Sequence, residues 1–160
     1  MLFRSRLGLV DAAAVRVAFS DVSGRAPEHA VLVQRMERGV AECLVGFSRD
    51  DVFGPLITVA TGGLFVEVLR DAAMRLAPVA LADAREMIAS LRGAPLLEGA
   101  RGRERADVAA LADLIVRVSH LACDRPEVAA LDLNPVVVRA AGEGAVAVDA
   151  LVVTSGDVGS

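Results

Sequence analysis

Apolar residues recur at helical spacing at Val15, Ala18, Phe19 and Val22, and Asp11 stands where an N-cap belongs. Residues 11–24 therefore read as an amphipathic helix, stopped by Gly24 and Pro27. Before it, RSRLGLV (4–10) reads as the end of a strand. After it, VLVQRM (31–36) reads as a short apolar strand, ERG as a tight turn, and AECLVGFSRD (41–50) as a strand ending in an acidic turn at Asp50 and Asp51. This pattern predicts VLVQRM and AECLVGF as neighbouring antiparallel strands. FGPLITVATGG (53–63) reads as a further strand closed by a glycine pair. The spacing in LFVEVLRDAAMRLAP (64–78) serves either a helix or strands; short strands with a turn at Asp71 and a stop at Pro78 are the preferred reading.

Two helices follow. LADAREMIASLRG (81–93) ends at Gly93, and ADVAALADLIVRVSHLACD (106–124) puts Val108, Leu111, Ile115, Val118 and Leu121 on one stripe. VAALDLNPVVVRA (128–140) and GAVAVDALVV (144–153) then form a hairpin across a Gly-containing loop, and the tail TSGDVGS (154–160) reads as flexible. The order predicts an α+β fold with a mainly antiparallel sheet and flanking helices, lacking the βαβ alternation of a doubly wound sheet.

At 160 residues and 54% apolar composition, the chain has material for one hydrophobic core. Its net charge of −4 removes the electrostatic basis for nucleic-acid binding. Charged residues interrupt every apolar run well short of a membrane span, and MLFRSRLGLVDAA has no signal-peptide core, so a cytoplasmic location is expected. Cys43 and Cys123 lie far apart in apolar contexts and are expected to be free, buried thiols. All 17 cationic residues are arginine; there is no lysine.

The strongest chemical signal is Asp132-Leu133-Asn134-Pro135 followed by Asp149 on the returning strand. Asp132 and Asn134 share a strand face, and a hairpin partner can bring Asp149 alongside, an oxygen set that suits Mg²⁺. The alternative is a solvent-facing turn, for which D-x-N-P is a common sequence.

DLNPVVVR with AVAVDALVV resembles the closing hairpin of the ATP-grasp domain in NDP-forming acyl-CoA synthetases, the family that includes ADP-forming acetate–CoA ligase and the succinyl-CoA synthetase β subunit. VLVQRM, GVAECLVGFSRDDVFGPLITVATGG, FVEVLRDAAMRLAP and GARGRERADVAALADLIVRVSHLA extend the resemblance, in the family's order, over nearly the whole chain. It implies the C-terminal ATP-grasp subdomain, in residues 1–153. It also implies ATP or ADP and Mg²⁺ as cofactors, with Gln34 and the backbone near Arg35 and Met36 at the adenine. Glu42, with Glu37 as a second candidate, falls near the ribose and phosphates, and Asp132, Asn134 and Asp149 on the metal side.

Several positions depart from the family's pattern. Ala60 stands where the family commonly has glycine. The lysine that an earlier subdomain gives to the phosphates is absent, and His29 and His120 do not match the phosphohistidine, so both read as structural or solvated. Glu67 and Asp71 keep a family spacing and read as loop-orienting or surface residues. The arginines of GARGRER read equally as phosphate ligands or as a solvated loop. The resemblance thus implies the nucleotide- and Mg²⁺-binding part of an acyl-CoA synthetase that is inactive alone. Its expected partners are the N-terminal ATP-grasp subdomain and the CoA-binding and ligase domains, or a second copy in a homodimer. The alternative is a non-catalytic regulatory or scaffolding domain of a synthetase-like acetyltransferase.

Overall fold

Asp11 begins a helix as its position predicts: in the computed structural model its carboxylate accepts the Ala14 N–H at 2.7 Å, and α1 runs Ala12–Ser23. The structure describes residues 5–24, 30–62 and 71–156, which fall into two units, Met1–Glu37 and Arg38–Ser160. In the first unit, Arg6 pairs with Asp21 of α1, and of the expected apolar stripe only Ala18 is buried, with Phe19 exposed. Residues 5–10 and 31–37 form no strand, contrary to the sequence pattern. The reason for VLVQRM lies in its intended neighbour. AECLVGF has both edges occupied by other strands, so it has no free ladder to offer.

In the second unit, β1 (Ala41–Asp50), β2 (Gly54–Thr61) and β3 (Ala72–Leu76) form an antiparallel meander, and β1 also pairs with β4 (Val128–Val138). Asp50 fixes the β1–β2 turn by accepting the N–H groups of Val52 and Phe53 at 2.8 and 2.9 Å. Residues 63–70, with Glu67, lie outside the described residues, as does His29.

The returning strand, expected as one piece, is two: β5 (Ala145–Ala147) pairs with Val136–Val138, and β6 (Ala150–Thr154) with the first half of β4. The break lies opposite Asn134-Pro135, where proline has no N–H for the ladder. The chain is held across the gap by Asn134 N–H to Asp149 O at 3.2 Å and Val148 N–H to Pro135 O at 3.0 Å. Sheet pairing reaches Thr154, and Ser155 donates its N–H to Glu127 O at 2.9 Å.

Two helices, α2 (Leu81–Ser90) and α3 (Val108–Asp124), bracket a helical turn at Ala94–Leu97 and a 3₁₀ turn at Ala100–Gly102. Their apolar sides join one face of the sheet in a single core: Met87 and Ile88 from α2; Leu111, Ile115 and Val118 from α3; and Val45, Phe47, Ile57, Val59, Leu131 and Val136 from the strands. The α3 stripe is rotated slightly from the expected one. Ser119 and Ala122 are buried, whereas Leu121, His120 and Cys123 are exposed, so Cys123 is not the buried thiol its apolar context suggests. Arg49, at the end of β1, ties this layer to the sheet by donating to the carbonyls of Ala122, Arg125 and Val128 at 2.6–2.8 Å. Among the described residues, no helix is long and apolar enough to cross a membrane.

Candidate functional site

Strand register decides which side chains the helices cover. Val45 and Phe47 of β1 pair with Leu133 and Leu131 of β4, and these belong to the core side; Gly46 pairs with Asp132 between them, on the opposite, open face. Across that face, Thr58, Gly46, Asp132 and Leu151 stand in one row. A Cβ on Gly46 would lie 2.3 Å from the Leu131 carbonyl oxygen, so only glycine permits this approach, and it leaves the position beside Asp132 free of a side chain.

Asp132 is half-buried, and its Oδ1 is fully buried without a hydrogen-bond partner among the described residues. Burial, and next the charge of Asp149, pushes its carboxyl above the ordinary aspartate range. Asn134 lies two positions on, at the register shift between β4 and β1, and is exposed. Asp149 is also exposed, and its Oδ1 accepts the Ala150 N–H at 2.8 Å. The hairpin thus brings the Asp149 carboxylate near enough to Asp132 for its charge to act there, and the Asp149 carbonyl accepts the Asn134 N–H at 3.2 Å. Among the described residues no cluster of three or more His, Cys, Asp or Glu exists, so a cation here would need further oxygen ligands.

Glu42 begins β1 on the same open face, exposed, opposite Val137. Gly62 presses onto it: its N–H reaches Glu42 O at 2.6 Å, and a Cβ there would lie 2.8 Å from the Glu42 Cβ. Ala60 is buried within β2, paired with Leu44 and Ala72, so its methyl group is accommodated inside the sheet. Gln34, Arg35, Met36 and Glu37 belong to the first unit, where Gln34 and Met36 are exposed and Arg35 donates to Glu37 at 2.7 Å.

Two carboxylates that organise the fold carried little or no sequence signal. Asp107 caps α3, accepting the Ala110 N–H at 3.0 Å, and it also accepts the N–H groups of Gly142 and Gly144 in the β4–β5 loop at 3.0 and 2.9 Å. These bonds hold it below the ordinary aspartate range. Its position just ahead of a long apolar stripe was the available clue. Asp71, expected to orient a loop or lie at the surface, is buried and accepts from Arg92 N–H, Gly93 N–H and Thr61 Oγ1 at 2.6, 2.9 and 2.9 Å. Burial pushes its carboxyl up, but those donors and the charge of Arg92 outweigh it and hold the group low. A Cβ on Gly93 would meet Thr61 Cγ2 at 2.4 Å, so this junction also requires glycine.

Residues 5–154 match the family model described as the ATP-grasp domain. The chain is 46% identical over 126 residues to acetate–CoA ligase (ADP-forming) I of Archaeoglobus fulgidus, covering 77% of this chain and 18% of that protein. It is 42% identical over 127 residues to the beta subunit of acetate–CoA ligase (ADP-forming) II of Pyrococcus furiosus, covering 79% and 54%. Among solved structures it is similar to the dinucleotide forming acetyl-coenzyme A synthetase 1 of Ca. Korarchaeum cryptofilum in complex with coenzyme A and Mg-AMPPCP. The TM-score is 0.84 at 33% identity, covering 93% of this chain and 67% of that one. The chain therefore spans about half the length of the Pyrococcus subunit and under a fifth of the Archaeoglobus protein. With its antiparallel sheet, flanking helices and closing hairpin, the chain belongs to the ATP-grasp family, as the ATP-grasp part of an NDP-forming acyl-CoA synthetase.

Proposed function

We propose that this chain forms the nucleotide- and Mg²⁺-binding part of an enzyme that converts acyl-CoA, ADP and phosphate into a carboxylate, CoA and ATP. The observation that carries the reading is the buried Oδ1 of Asp132, without a hydrogen-bond partner among the described residues, beside the charge of Asp149, on a sheet face that no described helix of this unit covers. A fold that satisfies its other buried carboxylates leaves this one for an outside ligand. Asp132, Asn134 and Asp149 would hold the cation. When bound, Mg²⁺ neutralises charge on phosphate oxygens during phosphoryl transfer. Gln34 and the 35–36 backbone would meet the adenine, and Glu42, with Glu37 as the alternative, the ribose hydroxyls. The exposed Leu32, Val33 and Met36 support an apolar surface that a further subdomain or a second copy covers.

The chain supplies no lysine, so it requires a phosphate clamp from elsewhere, and alone it forms no ATP from acetyl-CoA, ADP and phosphate. The test is calorimetric titration of ADP, with and without Mg²⁺, into the chain mixed with the part of the Pyrococcus subunit that it does not match. Mg²⁺ is expected to tighten ADP binding about tenfold or more, and Asp132→Asn to abolish that gain. Equal tightening in the variant overturns the metal assignment.

A further inference from the structure

We propose that the outer edge of β3 pairs with a second copy of this chain, the two β3 strands lying antiparallel across a twofold axis at Met74. The sheet runs β3–β2–β1–β4, so β3 is an outermost strand. Thr61 N–H reaches Asp71 O at 3.3 Å and Ala77 N–H reaches Pro55 O at 2.9 Å, which sets the parity of the β2–β3 ladder. Asp71, Ala73, Arg75 and Ala77 therefore bond inward to β2. The N–H and C=O groups of Ala72, Met74 and Leu76 point outward and have no partner among the described residues.

Natural sheets commonly blunt such an edge with an exposed lysine, a proline or a bulge. β3 carries none of these: it reads Ala-Ala-Met-Arg-Leu and pairs with β2 without a register shift. Its one charge, Arg75, lies on the helix side and is neutralised by Asp83 and Glu86 of α2 rather than left to repel a neighbour. The outward-bonding residues share the open face and are also the exposed ones, with Met74 60% and Leu76 44% exposed.

A second copy fits because this edge is complementary to itself. With Met74 on the axis, Ala72 of one copy stands opposite Leu76 of the other, so every outward group meets an outward group and the strands exchange about six hydrogen bonds. On the open face, Ala72, Met74 and Leu76 of both copies then form one apolar strip. On the helix side, Arg75 of one copy stands opposite Ala73 of the other, and each guanidinium brings its own carboxylates, so the two cations meet shielded. The opposite edge of the sheet, β6, does not match β3 in this way. Asn134 N–H to Asp149 O sets its outward groups at Ala150 and Val152, which lie on the helix side, so pairing with β6 would turn one copy's helices toward the other's open face. Five residues a side make a small interface, and the dimer is accordingly weak and concentration-dependent.

The test is sedimentation velocity of the full chain from micromolar to millimolar concentration. The wild type is expected to pass from monomer to dimer. Met74→Lys and Met74→Glu, at an exposed position where helical content should not change, each set like charges face to face on the axis and should weaken the dimer about tenfold. Mixing the two variants in equal amounts should restore it, since opposite charges then face each other. Val152→Lys, on the far edge, should leave it unchanged. A wild type that stays monomeric or grows past the dimer, a Met74 variant that dimerises as the wild type does, a mixture that stays monomeric, or loss in Val152→Lys overturns the proposal. The measurement involves no nucleotide or metal, so its result is independent of the Mg²⁺-nucleotide reading.

Discussion

The junctions between helices and sheet treat carboxylates in the opposite way from the open sheet face. Asp71 and Asp107 are 6% and 8% exposed, each collects three donors from the chain itself, and each is held below the ordinary aspartate range. Asp132, less deeply buried, has an oxygen with no donor among the described residues and a second carboxylate nearby, and is pushed above that range. Burial alone therefore does not set the direction in which the surroundings move the proton; the donors that the fold supplies do, and where they are supplied they leave nothing for a ligand to provide.

The largest effect that would sharpen this contrast is at Asp107. Asp107→Ala removes the α3 cap and strands the N–H groups of Gly142 and Gly144, and about 3 kcal/mol of stability is expected to be lost in urea unfolding. Asp107→Ser restores a cap alone and should recover about 1 kcal/mol. Asp71→Ala should cost about 2 kcal/mol by the same reasoning. Because both native carboxyls lie below their unfolded value of about 3.9, their contribution is present above that pH and is lost as pH falls through the native values.

Asp132→Asn should do the reverse. A native carboxyl raised above its unfolded value disfavours folding once ionised. That penalty is absent below about pH 3.9 and complete above the native value. The variant is expected to be as stable as wild type, or up to about 1 kcal/mol more stable, at pH 8, with the gap closing toward pH 4. A loss comparable to that of Asp107→Ala would make Asp132 a structural acid and break the comparison.

The smallest effect concerns the thiols. Burial pushes Cys43 up to about 12, whereas Cys123 is exposed, so a thiol reagent at pH 8 should modify one cysteine in the native chain and both in urea. Two reactive thiols in the folded protein would show that the covered face of the sheet opens readily.

The second unit was largely legible because its signals are local. Alternation marks β1 at Ala41–Asp50 to the residue, and the apolar stripe marks α3. What the sequence hid depends on contacts between distant segments. VLVQRM has the composition of a strand, but both edges of β1 were taken by partners that local patterning does not reveal. The split of β5 from β6 arises from Pro135 on the neighbouring strand, and the burial of Asp71 from the loop after α2 closing over it. Cys123 was misjudged because an apolar flank says little about which side of a helix a residue occupies; it lies next to Ala122, which is buried.

The position of β4 also sets the order in which the protein can be made. It pairs with β1 on one edge and with β5 and β6 on the other, yet it follows β1 in the chain by some eighty residues, so β1 must wait through their synthesis for its second partner. The β1–β2–β3 meander closes early from contacts between neighbours in the chain. The row that carries Asp132 comes into being only after Leu151 has left the ribosome. A nascent chain stalled before that point should carry a folded meander with its β1 edge bare, and would be most exposed to strand-pairing with another molecule in that interval.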